Sequence, residues 1–496
     1  MAKKTTSTSK KPASRTRTRV EKDTMGEMTV PADALYGAST QRAVENFPIS
    51  GRPVPFEVIS AYAALKSACA KVNSELGYLD KSRTRLIRQA CDSIAGGLDE
   101  HGGWARHFPV DVYQTGSGTS TNMNANEVVA NLICLAKGAK IGSSKNAEYL
   151  KKGGVHPNDH VNMGQSSNDT FPTAMHVGAS MAIASRLLPA LSTMATRLEE
   201  LSKRWDKIVK IGRTHLQDAT PIRVGQEFSG YARQMRLAER RAGDALKALS
   251  ELALGGTAVG TGINTDKRFG ALVAKELTEA HKKQGLTFKE ARNHFEAQHT
   301  KDGFVEASGQ LRTIAISLSK IAGDIRMMGM GPRCGLGELK LPAVQPGSSI
   351  MPGKVNPVIC EMMVMVCCQV IGNDAAVATG NMGGVGSILD LNVAMPMMAY
   401  NVIDSVNLLA NACETFEARC LAGLEVDTDR CAELIEGSLA MCTSLVPVIG
   451  YDLSAAIAKK AYATGRTVRE VAIADGVLSE AELKRLLNPM KMTKNL

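Results

Sequence analysis

The chain has 496 residues, 44% of them hydrophobic and 22% charged, with a formal net charge of +10. That balance excludes a fibrous or wholly disordered protein, and no apolar run reads as long enough to span a bilayer, so a membrane partner is not expected. Seven of the positive charges and no acid fall in residues 1–20, which leaves +3 for the rest and gives no reason to expect a nucleic-acid partner for the folded body.

The first segment, "MAKKTTSTSKKPASRTRTRV", has almost nothing apolar to bury and is predicted to be a disordered basic tail over 1–20. It lacks the Leu, Ile and Phe that give a transit peptide its apolar face. The cytoplasm is therefore the expected compartment, with the mitochondrial matrix as the alternative if the tail is a targeting signal.

From 21 to 164 the hydrophobic pattern is broken, with Gly- and Asn-rich turns at 115–126 and 153–168, and this stretch is expected to be an N-terminal domain. From 165 to 424 long helices are predicted, forming a central bundle. Phe228, Tyr231, Met235, Ala238, Ala242, Leu246 and Leu249 recur at helical spacing, as do Leu311, Ile314, Leu318, Ile321, Ile325 and Met328. "EMMVMVCCQVIG" (361–372) is apolar nearly all round, so it must be covered on every side, and subunit association is one way to do that. After 425 come short helical segments, expected to form a small C-terminal domain; Ser479 and Glu482 stand at the capping-box spacing in "LSEAELKRLL".

The eleven cysteines include no CxxC. Cys360 and Cys367, like Cys413 and Cys420, are seven apart, the spacing of one buried helical face, so reduced core cysteines are expected. "GGTAVGTG" (255–262) is neither a dinucleotide fingerprint nor a phosphate loop, because the spacing is wrong and no GK[ST] occurs.

Four polar clusters interrupt the helical background. They are "TGSGTSTNMN" (115–124), "HPNDHVNMGQSSND" (156–169), "GRTHLQDATP" (212–221) and "GSSIMPGKVNP" (347–357), the last followed by Glu361. Gly347, Pro352, Gly353 and Pro357 rule out a helix through the fourth cluster, so it should be a loop holding Ser348, Ser349, Lys354 and Asn356 close together. "SSND" suits a helix N-cap before "FPTAMHV". Taken singly, each cluster has a bland structural explanation. Together they suit loops gathered at helix ends, where free N–H groups favour anions.

Here the sequence is identified as resembling a known family. "GSSIMPGKVNP" resembles the signature of the fumarase/aspartase superfamily, and "TGSGT", "SSND" and "GRTHLQDATP" match the other active-site regions of class II fumarases. The similarity runs from "EKDTMGEMTVPADALYGAST" to "LSEAELKRLL". It implies a mainly α, three-domain fumarase/aspartase-like fold whose long helices form a multi-helix core in a homotetramer. Each active site would be built from loops of three subunits. The implied reaction is the reversible hydration of fumarate to L-malate, a step of the tricarboxylic acid cycle, with neither metal nor organic cofactor.

The resemblance assigns residues as follows. Ser348 is the base, His215 acts through a bound water as acid or base at the hydroxyl, and Glu361 orients and charges the imidazole. The dicarboxylate is bound by Ser117, Gly118, Thr119, Ser166, Ser167, Asn168, Thr214, Ser349, Lys354, Val355 and Asn356. His156, Pro157, Asn158 and Asp159 resemble a second anion site. His215 stands where aspartate ammonia-lyases typically carry Gln, which favours the hydratase over that alternative. One departure is Leu389-Asp390, where class II fumarases usually carry a Phe-Glu pair; if this segment lines the site entrance, specificity could differ.

Overall fold

The computed structural model describes residues 17–494, and contacts divide the chain into two compact units. Of the described residues, the first comprises 17–181, 248–305 and 376–403. Its helices Phe56–Glu75, Lys81–Ala95, Thr119–Ala136 and Ser167–Ala182 enclose a core that includes Val58, Ile59, Leu65, Ile87, Val128, Val129 and Phe171. The second comprises 182–247, 306–375 and 404–494.

In the second unit the predicted stripes are the buried ones. Leu311, Ile314, Leu318, Ile321 and Ile325 face inward from helix Asp302–Met328, and Phe228, Tyr231, Met235, Ala238 and Ala242 from helix Val224–Ala248. Each such Leu, Ile or Phe contributes about 2 kcal/mol by leaving water. Cys360, Cys367, Cys413 and Cys420 are buried free thiols, while Cys368 is exposed, as helical geometry requires of a neighbour of Cys367. The C-terminal helices have a core of their own around Leu445, Ile457, Val471 and Leu483. The Ser479 capping box is present, with Glu482 N donating to Ser479 Oγ (3.3 Å) and Ser479 N to Glu482 Oε2 (2.9 Å).

Three expectations need correcting. The tail does not extend to residue 20: Thr18–Asp23 pairs antiparallel with Gly26–Pro31, and Arg19 donates to the carbonyls of Pro31 (2.5 Å) and Tyr36 (2.6 Å). Composition hid the strand because Arg19 works as a donor to backbone rather than as a solvated charge. Residues 1–16 of that expected tail lie outside the described residues. Deleting 1–20 removes Arg19's bonds, and a loss of about 3 kcal/mol is expected, read as a lower unfolding temperature. An unchanged temperature would return Arg19 to the tail.

Second, "GRTHLQDATP" does lie between two helices, Leu188–Arg204 and Val224–Ala248, but it is not a plain loop. It is most of an antiparallel hairpin, Val209–Thr214 with Gln217–Arg223, carrying an irregularity between Ile211 and Arg213. Gly212 is needed there, since a Cβ would sit 2.6 Å from Thr220 O. Alternation is masked because Lys210 points inward, where it pairs with Glu227 (3.0 Å) and Glu338 (3.5 Å). Arg213 also meets the buried Glu338, at 2.8 Å.

Third, helix Val358–Gly380 has the length and mean hydropathy, 1.5, of a bilayer span, contrary to the expectation that no such run exists. It nevertheless carries two buried polar groups bonded within the second unit. Asp374 accepts from Ser308 Oγ (2.7 Å) and Arg312 (2.8 Å), and Asn373 donates to Asp404 (2.9 Å). Its buried stripe is Cys360, Met363, Cys367, Val370, Asp374 and Val377, and the opposite face, with Met365 67% and Ile371 41% exposed, is uncovered in the single chain.

Candidate active site

In the first unit the structure brings two of the four clusters together. Gly118 caps helix Thr119–Ala136 with φ +74°, and a Cβ there would lie 1.9 Å from the Phe171 ring, so only glycine fits. Ser117 Oγ bonds Thr119 Oγ1 at 2.9 Å, and Thr119 Oγ1 bonds Ser167 Oγ at 2.7 Å. This hydroxyl chain joins the start of helix Thr119–Ala136 to the start of helix Ser167–Ala182. Two helix N-termini therefore converge, each with free N–H groups and a positive dipole end, which is an anion-binding arrangement. Ser166 Oγ caps the second helix by accepting from Asn168 N (3.2 Å), as "SSND" predicts.

What holds this corner has no local signal in the sequence. Asp169, wholly buried, accepts from Ser166 N (2.9 Å), Gly255 N (3.2 Å) and Thr257 N (2.9 Å). Burial pushes its carboxyl up to about 6, against the pull of those three N–H groups. Asn168 Nδ2 donates to Ala258 O at 2.8 Å. Thus "GGTAVGTG", set aside because it is no phosphate loop, is the brace of the "SSND" turn. Its glycines after a helix end were a signal of close backbone packing, but not of what they pack against. The segment around Leu389-Asp390 is also tied here: Ser387–Ile388 and Leu391–Asn392 form a short hairpin, and Met395 N donates to Gly116 O at 3.0 Å.

"HPND" forms a π-helical turn, Pro157–Val161. His156 Nδ1 accepts from Asn158 N (3.2 Å) and Asp159 N (3.0 Å), and burial lowers its pKa. Pro157 is buried while Asn158 and Asp159 are exposed.

In the second unit "GSSIMPGKVNP" is the expected loop. Gly347 N bonds Lys354 O (2.9 Å), Asn356 Nδ2 bonds Gly347 O (2.8 Å), and a Cβ on Gly347 would stand 2.3 Å from Lys354 O. Ser348 Oγ accepts two backbone N–H groups, from Ile350 (3.2 Å) and Met351 (3.0 Å). Such donors stabilise negative charge on that oxygen. Ser349, Lys354 and Val355 are exposed. Helix Val358–Gly380 begins directly after the loop and carries Glu361, exposed, in its first turn.

Thr214 and His215 are at the hairpin tip, exposed, with His215 at φ +55° and Leu216 at +60°. Two non-glycine residues in left-handed conformation in one turn hold the imidazole out from the strands at a cost in backbone strain. Among the described residues, no hydrogen bond or ion pair joins His215 to Glu361.

Comparison with known proteins follows these features. The family described as "Lyase" matches residues 26–372, the span that carries all four clusters, and "Fumarase C C-terminus" matches 441–494. The chain is 50% identical over 479 residues to "Fumarate hydratase class II" of Corynebacterium glutamicum, covering 96% of each. It is 49% identical over 477 residues to "Fumarate hydratase 1, mitochondrial" of Arabidopsis thaliana, covering 96% of this chain and 92% of that one. The recombinant class II fumarase from Schistosoma mansoni superimposes with a TM-score of 0.88 at 36% identity, over 96% of this chain and 99% of that one. The chain belongs to the class II fumarase family.

Proposed function

We propose that the protein is a fumarate hydratase interconverting fumarate and L-malate, acting as a homotetramer. The observation that carries this reading is the Ser348 oxygen held by two N–H groups in a loop that also presents Lys354. A serine hydroxyl is a poor base unless its anion is stabilised. In the malate-to-fumarate direction, Ser348 takes the Cβ proton, and the electron pair delocalises into the adjacent carboxylate. Lys354, Asn356 and the N–H groups and hydroxyls of Ser117–Thr119 and Ser166–Asn168 bind the resulting charge, the kind of preorganised electrostatic term that is usually largest. The C–O bond then breaks, and His215, through a water, supplies the proton with which hydroxide leaves as water. Thr214, Ser349 and Val355 are assigned to the same dicarboxylate, and His156–Asp159 to a second anion.

Two features support assembly from several subunits. The exposed apolar face with Met365 and Ile371 needs a cover, and Glu361 has to meet a histidine that it does not bond in its own chain. The same helix in other copies can supply the cover, and the His215 hairpin of another copy the histidine. The tail's lack of Leu, Ile and Phe supports a cytoplasmic location over the matrix.

His215 favours this reading over an aspartate ammonia-lyase, because expelling hydroxide requires a proton donor and expelling ammonia from a protonated amine does not. Ultraviolet absorbance decides between them. Fumarate is expected to form from L-malate and not from L-aspartate; formation from aspartate alone would make the protein an ammonia-lyase.

A further inference from the structure

Lys66, in the middle of helix Phe56–Glu75, is 0% exposed. Its Nζ donates to Asn122 Oδ1 (2.8 Å), Asn162 Oδ1 (2.9 Å) and Gln165 Oε1 (2.9 Å). An ammonium has three donors and no acceptor, so three amide oxygens match the charged form and leave nothing over. Among the described residues no carboxylate pairs with it. The nearest carboxyl, Asp169, acts on the charge without bonding it, and a buried lysine so placed is costly unless its charge is used.

The amides it orients lead to the anion corner. Asn122 is in the first turn of helix Thr119–Ala136. Asn162 Nδ2 donates to Gln165 O (3.1 Å), and Gln165 Nε2 to Val161 O and Met163 O (both 3.1 Å). These carbonyls belong to the 161–165 stretch that leads into Ser166. Lys66 thereby fixes which way each amide faces, and through them the backbone that delivers Ser166–Asn168. We propose that Lys66 is a positioning residue of the dicarboxylate site, its buried charge locking the 161–168 segment and adding positive potential behind the two converging helix starts. The inference rests on the reading that Ser117–Thr119 and Ser166–Asn168 bind a substrate carboxylate.

The groups facing Lys66 are Cys69 on its own helix, Cys91 on the next and Asp169 on helix Ser167–Ala182, with the Tyr62 ring 5.9 Å away. Burial pulls the ammonium down to about 8, so the neutral amine gains above that pH. KM for L-malate should then rise between about pH 7 and pH 9 in the parent protein. In Lys66→Met, KM should already be raised about tenfold at neutral pH, with kcat changed less and the rise near pH 8 gone. Lys66→Arg keeps the charge throughout and should give a low KM that is flat with pH.

A Lys66→Met protein with parental KM and pH profile overturns the proposal. If that variant does not fold, a flat parental KM across the same range overturns it, and a rise that Lys66→Arg abolishes upholds it. Thr119→Ala tests the underlying reading separately. Unchanged KM in Thr119→Ala shows that the binding assignment has failed, whereas a raised KM there beside parental Lys66→Met kinetics shows that Lys66 alone was misjudged.

Discussion

A Ser348→Ala variant is expected to dehydrate L-malate about a thousandfold more slowly than the parent, the usual scale for losing a positioned base, while keeping its oligomeric state. The fall should lie in kcat, since the hydroxyl is assigned to proton removal and the binding groups stay in place. Local structure should change little. Ser348 Oγ accepts from Ile350 N and Met351 N at the loop surface, where water can replace it as acceptor, and the loop is closed independently by Gly347 N to Lys354 O and by Asn356 to Gly347 O. Steady-state rates from fumarate absorbance, with size-exclusion chromatography as the structural control, test this. Activity within a few-fold of the parent would remove Ser348 from proton transfer and move the search for the base elsewhere.

Asp169→Asn is expected to lower kcat/KM for malate about a hundredfold, the effect of displacing a site by about an ångström from outside the chemistry. The amide puts an N–H2 where Ser166, Gly255 and Thr257 now aim N–H groups at a carboxylate. One of those donors must turn away, and the "SSND" turn moves with it. The effect on stability has an opposite component, because the substitution removes a buried charge.

The sign of the pH dependence follows from the raised carboxyl. Its folded pKa is about 6 against an ordinary 3.8, so the folded state holds the proton more tightly than the unfolded chain. The stability this contributes is present below about pH 4 and is lost as pH rises through 6, up to about 3 kcal/mol in all. Denaturation midpoints measured across that range should fall with rising pH more steeply in the parent than in Asp169→Asn. Equal slopes would mean that Asp169 titrates as an ordinary acid.

Much of this protein was legible residue by residue. The long helices follow from stripes of period 3.6, since a helix face either contacts the core or does not, and Leu311 through Ile325 could face only one way. Ser479 and Ser166 cap helices because a hydroxyl one residue outside a helix finds its free N–H groups whatever lies beyond. The "GSSIMPGKVNP" loop was legible for the same local reason: its glycines and prolines forbid helix, and Gly347 has room only for hydrogen against Lys354 O.

What the sequence could not show depends on partners distant along the chain. The 209–223 hairpin is encoded by an inward Lys210 whose acceptors are Glu227 and Glu338, so its pattern reads as polar until those residues are placed. Arg19 reads as tail until Pro31 and Tyr36 offer it carbonyls. Asp169 and Lys66 carry no mark of burial in the sequence, and folding encloses both. The residue types proposed to carry the chemistry are thus set by the sequence alone, because their types and turn geometry are local. Which groups are buried together, and therefore which charges act on the anion corner, was decided by tertiary structure, because burial and electrostatic coupling belong to neighbours that only the fold supplies.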